Sequence, residues 1–207
     1  MAERRVEVMS PALTALRPSD TNSEPGASML DHPLAKMLSI LDASEQPLSP
    51  DALVELLKLS VSTDELAPWI KFEDEKYARN SIRRTRNYEA LCLCWKRGQK
   101  SPPHDHWNSS AAIQVISGTA HETLFENHGD YIQVIGERAY ESGDIRVEGS
   151  DLIHQFGNLS DSTENLVTLH IYSPPLPSVD QGKIYEGGRI RSVGSHALED
   201  DKYKLPL

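Results

Sequence analysis

The chain has 207 residues, 31 of them acidic and 21 basic, for a formal charge of -10. That length suits one compact domain with a real core, and the acidic balance has the wrong sign for a protein that binds by neutralising phosphates, so nucleic acid is excluded as a natural partner. No stretch approaches the roughly 18 to 20 apolar residues needed to cross a bilayer, and the first 30 residues hold no apolar run behind a positive start, which argues for a soluble, cytoplasmic protein with no membrane partner.

Residues 1–28, with Pro11, Pro18, Pro25 and Gly26 among scattered polar residues, lack hydrophobic periodicity and read as a disordered tail. A single domain is expected over 29–190, helical over 29–70 and β-rich over 77–175, with 191–207 as a C-terminal tail. Leu34, Met37, Leu38, Ile40 and Leu41 recur at helical spacing over 30–41, with Asp31 as a cap. Ser49 as N-cap and Pro50 at the first helical position announce a second helix carrying Leu53, Leu56, Leu57 and Leu59, and a third begins at Thr63. Strands follow near 89–96, 111–117, 119–126, 131–136, 144–147, 153–157 and 165–172. Turns are expected at Gly98, Ser117-Gly118, Asn127-His128-Gly129, Gly136, Ser142-Gly143 and Gly157-Asn158. Many short strands at near-regular spacing point to a mostly β sandwich or barrel. After Pro174-Pro175 loop formers return. The only cysteines, Cys92 and Cys94, share one face of a strand and are too close in sequence for an ordinary disulfide, so they read as free, buried packing residues in a reducing compartment.

The most informative short stretch is Pro102-Pro103-His104-Asp105-His106. Residues two apart on a strand face the same side and could bring two imidazoles onto one metal. His154, about 48 residues on and flanked by apolar residues, could supply a third ligand. Three neutral imidazoles leave open positions on a divalent ion and keep its full dipositive charge, which favours an anionic incoming ligand such as a thiolate. Taken without context, a strand histidine is equally a hydrogen-bonded or surface residue. His32, His128 and His196 sit in polar or loop context and read as structural, and His121 as an exposed strand position. Thr168, His170 and Tyr172 alternate on one strand, so they share a face and can form a hydrogen-bond relay, or equally a buried tyrosine satisfied by histidine. Arg79 suits a bidentate clamp on a carboxylate, yet Arg83, Arg84 and Arg86 stand nearby in what is equally a solvated charge run.

Gly98, five residues, His104-Asp105-His106 and then Gly118 reproduce most of the first cupin motif; Gly143, His154 and Asn158 match positions of the second, with Gly149 where a proline is usual. The glutamate ligand of the first motif falls at Ala111, which cannot bind metal, so the chain resembles cupins that use three histidines. Within that subset Tyr77-Ala78-Arg79-Asn80, the run Ala120-His121-Glu122-Thr123-Leu124-Phe125, and Leu169-His170-Ile171-Tyr172-Ser173-Pro174-Pro175 resemble the cysteine dioxygenases.

The resemblance implies a cupin β-barrel with the N-terminal helices packed outside and one mononuclear Fe(II) held by His104, His106 and His154; a monomer is expected. It implies an oxidoreductase that joins a small thiol and dioxygen, with L-cysteine converted to cysteine sulfinate. Arg79 and Tyr77 would hold the substrate carboxylate; Tyr172, oriented by His170 and Thr168, would act at the reacting end; and Ser173-Pro174 would be a cis peptide. Animal members carry a tyrosine-crosslinked cysteine where this chain has Ala111, so Tyr172 is expected to be an unmodified phenol, as in bacterial-type members. Alternatives are a dioxygenase of another mercapto acid such as 3-mercaptopropionate, whose relatives tend to carry glutamine in place of Arg79, a non-catalytic metal-binding cupin, and a zinc or manganese isomerase.

Overall fold

A computed structural model describes residues 32–129, 131–176, 182–186 and 189–193, the last two spans by their backbone. Asp31 and His196 lie outside them, as do residues 1–28 and 194–207; the expected boundary after 190 falls inside a strand.

Helix α1 (Pro33–Ala43) buries Leu34, Met37 and Leu41, while Ile40 stays largely exposed. Its N-cap is His32, which makes no side-chain cap; the Leu34 N–H is met instead by Glu65 Oε1 at 2.8 Å. Helix α2 (Pro50–Leu57) starts as its sequence directs, with the Ser49 hydroxyl accepting from the Ala52 N–H. Helix α3 (Thr63–Leu66) opens with a Ser62/Glu65 capping box, so Glu65 serves two helix starts at once.

Among the described residues ten strands follow: β1 (Ala78–Arg84), β2 (Glu89–Trp95), β3 (Ser110–Ser117), β4 (Ala120–Asn127), β5 (Ile132–Tyr140), β6 (Ile145–Glu148), β7 (Ile153–Gly157), β8 (Leu166–Ser173), β9 (Gly182–Glu186) and β10 (Arg189–Val193). They form an antiparallel five-stranded sheet in the order β1-β2-β8-β3-β6, a three-stranded sheet β5-β4-β7, and a β9–β10 hairpin. The fold is therefore mostly β, as the alternation indicates, with its strands in two main antiparallel sheets.

Three local expectations fail for physical reasons. Strand β1 hides among arginines because it is the edge of its sheet, where charged side chains reach solvent. Gly136 is no turn: β5 runs through it, because the register steps from Leu124↔Gly136 to Phe125↔Val134 and leaves Ile135 as the extra residue of a bulge. The chain beyond Pro175 is not all loop, since it includes β9 and β10.

Strands β2 and β8 are buried along their whole length and separate two cores. Ala90, Cys92 and Cys94 of β2 and Val167, Leu169 and Ile171 of β8 pack with α1 and α2 outside the five-stranded sheet. Leu91, Leu93 and Trp95, with Leu166 and Tyr172, face the other cluster with Phe156 of β7. Burying both faces of these strands against apolar neighbours is the dominant stabilisation available to the domain.

Candidate active site

His104 and His106 do not lie on a regular strand, contrary to the expected spacing argument; they sit in an irregular segment after Pro102-Pro103. Two prolines cannot donate to a ladder, which disfavours a continuous strand there. The segment is instead laced to β7. Ser101 donates its N–H to Phe156 O at 2.8 Å, and His104 and His154 exchange both backbone hydrogen bonds at 2.9 Å. The lacing demands a glycine in β7: a Cβ on Gly157 would stand 2.4 Å from Gln99 O and 2.6 Å from Lys100 Cα.

This brings the three imidazoles together. Ring centroids are 5.3 Å apart for His104 and His106, and 4.8 Å for each of them and His154; all three residues are buried. The His106 and His154 Nε2 atoms are 3.1 Å apart. Their Nδ1 edges face outward. His104 Nδ1 donates to Pro102 O at 2.9 Å, and His154 Nδ1 to Glu122 Oε1 at 2.8 Å. His106 Nδ1 faces Glu148 Oε2 at 3.8 Å with no hydrogen bond formed.

This arrangement fits a transition-metal ion. Two nitrogens about 2.1 Å from one ion at right angles lie about 3 Å apart, and metal-binding histidines present one nitrogen while the other donates to a fixed acceptor. Burial, aided by the neighbouring His154, pushes His104 down to about 3 and His106 well below its ordinary range, so both are neutral and ready to ligate.

Behind His154 stands a charged layer that the sequence reading missed. Glu122 also accepts from the Tyr140 hydroxyl at 2.7 Å, and the Arg146 Nε lies 3.4 Å from Glu122 and 3.3 Å from Glu148. Glu148 is 3.3 Å from His154 Nδ1. Against the cost of burial, the hydrogen bond from His154 holds Glu122 at about 2; burial raises Glu148 to about 8. A divalent ion held by the three imidazoles would thus have carboxylates close behind one of them, which three imidazoles alone do not suggest. A signal for this layer existed: Glu122 lies within a family-like run, and Arg146 and Glu148 alternate on β6 towards the interior.

Thr168, His170 and Tyr172 do form a chain: Thr168 Oγ1 to His170 Nε2 is 2.9 Å and His170 Nδ1 to the Tyr172 hydroxyl is 3.2 Å. Trp95 extends it, its indole N–H donating to Thr168 Oγ1 at 3.0 Å. The Tyr172 ring lies 5.3 Å from that of His106, and burial raises its phenol above the ordinary value. The Ser173–Pro174 peptide is cis.

A small cavity is lined by Tyr77, Arg79, Trp95, His104, His154 and Tyr172, together with apolar Leu93 and Phe156. Tyr77 stacks on Trp95 at 4.1 Å and hydrogen-bonds to Arg79. Despite burial, Tyr77, Tyr172 and Glu89 stabilise the Arg79 charge. Its rivals point elsewhere: Arg83 pairs with Asp42 at 2.9 Å, Arg84 with Glu89 at 2.6 Å, and Arg86 is exposed. His128 pairs with Glu126 at 3.1 Å, and His121 is a half-buried position of β4, away from the cavity.

A family model described as cysteine dioxygenase type I matches residues 35–183. Human cysteine dioxygenase type 1 is 31% identical over 116 residues, 54% of this chain and 58% of the human protein. The zebrafish (Danio rerio) protein of that name is 31% identical over 114 residues, 52% of this chain and 56% of the fish protein. The chain thus matches less than two thirds of the length of these curated relatives. Among solved structures, the TT1209 protein from Thermus thermophilus is 17% identical with a TM-score of 0.45, covering 53% of this chain and 94% of that one. A Klebsiella pneumoniae protein with a double-stranded β-helix domain is 19% identical with a TM-score of 0.44, covering 53% and 86%.

Proposed function

The chain belongs to the cysteine dioxygenase type I family, and from that premise we propose that it is an iron-dependent thiol dioxygenase that converts L-cysteine and dioxygen to cysteine sulfinate. The observation that carries the reading is one cavity bounded by imidazoles on one side and by Arg79, Tyr77 and Tyr172 on the other. His104, His106 and His154 would hold one Fe(II), which when bound supplies the redox chemistry that joins sulfur and oxygen.

The chain's own residues define the rest. The thiol end of the substrate faces the three imidazoles and the carboxylate end faces Arg79, whose planar fork matches two oxygens. Tyr77 supports Arg79 by a hydrogen bond and braces Trp95 by stacking. Leu93, Trp95 and Phe156 keep water from the reacting sulfur. Tyr172 stands beside His106, where its hydroxyl can orient the reacting end, and His170 and Thr168 orient that hydroxyl. The overall change adds both oxygen atoms of dioxygen to one thiol and needs no further reductant.

Arg79 in the cavity supports a thiol that bears a carboxylate, and cysteine is favoured among these because relatives acting on 3-mercaptopropionate tend to carry glutamine at that place. The test is anaerobic loading with ferrous iron, then dioxygen with cysteine or 3-mercaptopropionate in parallel, measuring sulfinate and oxygen uptake. We expect cysteine to have the higher kcat/KM. Preference for 3-mercaptopropionate would overturn the substrate; ligand binding without oxygen uptake from either thiol would overturn the reaction.

A further inference from the structure

We infer that Trp95 sets the direction of the hydrogen-bond chain that ends on Tyr172, so that Tyr172 presents its hydroxyl proton, and not a lone pair, to whatever occupies the cavity. The four side chains are linked in series: Trp95 Nε1 to Thr168 Oγ1 at 3.0 Å, Thr168 Oγ1 to His170 Nε2 at 2.9 Å, and His170 Nδ1 to the Tyr172 hydroxyl at 3.2 Å.

Hydroxyls and a neutral imidazole can each donate or accept, so the three inner groups alone permit either direction. An indole N–H can only donate. It occupies one lone pair of Thr168, which is completely buried. If Thr168 then donates to His170 Nε2, the one proton left over is that of the Tyr172 hydroxyl, which lines the cavity and can be met there. If His170 Nε2 donates to Thr168 instead, the Thr168 proton has no partner among the described residues, at a cost of about 1–3 kcal/mol. The first arrangement therefore prevails. Burial, reinforced by the Arg79 charge, keeps His170 well below its ordinary pKa and so neutral.

The rest follows in order. With Nε2 accepting, His170 carries its proton on Nδ1 and donates it to the Tyr172 oxygen. The Tyr172 proton must then point away from His170. Arg79, the cation that acts on Tyr172 from the cavity side, has donors only and cannot accept it. A cavity ligand with a lone pair can. Trp95 is thus a positioning residue that acts through Thr168 and His170, while its ring also braces Tyr77.

The catalytic use of that proton rests on the proposed function, but the direction of the chain does not. The test is nitrogen-15 NMR of histidine-labelled, full-length protein carrying zinc as a diamagnetic ion, with the His170 signals assigned by their loss in His170→Gln. We expect a protonated Nδ1 and an unprotonated Nε2 on His170. A protonated Nε2 in the unsubstituted protein would overturn the inference, whatever its activity with thiols. Trp95→Phe keeps a ring against Tyr77 without the N–H and should erode the tautomer preference by about tenfold, the worth of one buried hydrogen bond. An unchanged tautomer in that variant would remove Trp95 from the role. Should Trp95→Phe not fold, Thr168→Val removes both hydrogen bonds of the Thr168 hydroxyl, and an unchanged His170 tautomer in it would overturn the inference that this end of the chain sets the direction.

Discussion

Ala111 and Tyr172 stand directly opposite each other in the β3–β8 ladder, both buried. A side chain at 111 is therefore placed to reach the Tyr172 ring from β3, as Glu89 is from β2, and at 111 it is a methyl group. The two cysteines cannot substitute for it, because Cys92 and Cys94 belong to the core on the helix side of β2 while Tyr172 belongs to the other. Protein recovered after turnover is predicted to have an intact mass equal to that of its sequence, with an unmodified Tyr172 peptide. A Tyr172 peptide lacking two hydrogens and joined to a cysteine peptide would contradict this placement.

Glu122 ties the Nδ1 edge of His154 to Tyr140 and Arg146. Replacing it by glutamine halves its accepting capacity and removes the charge next to a ligand. Glu122→Gln is predicted to bind Fe(II) or Zn(II) about 10- to 100-fold more weakly, measured by competition with a chelator. Unchanged affinity with an unchanged fold would exclude this orienting role.

The buried neutral histidines give the metal-free protein a definite acid response. The folded-state pKa values of His104, His106 and His170 are depressed. The unfolded chain therefore binds more protons once pH drops below about 6.5, and stability falls with pH from there. At about 1.4 kcal/mol per group per pH unit, three histidines give about 4 kcal/mol per unit below about pH 6. Glu148, raised to about 8 and so protonated first in the fold, offsets one such increment until pH nears its unfolded value, for a net of about 3 kcal/mol per unit. His154, raised by Glu148 and Glu122 against its burial, acts above that window and gains stability as pH falls towards it. Denaturant titrations between pH 7 and 5 check the sign, and a metal bound to the three imidazoles should flatten the curve.

Arg79→Lys keeps the charge but loses the fork. It is predicted to raise KM for cysteine by about tenfold or more, the value of one charge-assisted hydrogen bond. Arg83→Ala, which removes only a surface pair with Asp42, should leave KM unchanged and stability within about 1 kcal/mol. Steady-state kinetics on the two variants separate the cavity arginine from its neighbours.

Gly157→Ala places a methyl group against the backbone of residues 99 and 100. The predicted loss is about 1–3 kcal/mol, as for other overpacked positions, read from thermal unfolding. Because the same crossing sets His104 against His154, metal affinity should fall with it.

Much of this was readable in the residues because short-range rules are sharp where they apply. Ser49-Pro50 fixed a helix start, and the alternation of Thr168, His170 and Tyr172 put three polar groups on one face before any contact was known. His104 and His106 converge with His154 through backbone pairing of their segment with β7 and not through strand alternation, which a two-residue spacing does not reveal. Glu148 and Arg146 escaped notice because buried charge is recognised by its partners, and those partners come from β4 and β7. Strand β1 escaped because an edge strand made of arginines looks like a surface loop.

Strand β8 turns alternate residues to two different tasks. Val167, Leu169 and Ile171 anchor the helices, while Thr168, His170 and Tyr172 serve the cavity. A pairing slip of one residue would push three polar side chains under the helices and three aliphatic ones against the imidazoles. The greasy half of the strand thus acts as a proofreader for the polar half: a chain that mispaired would lose its core before it could assemble a faulty cavity.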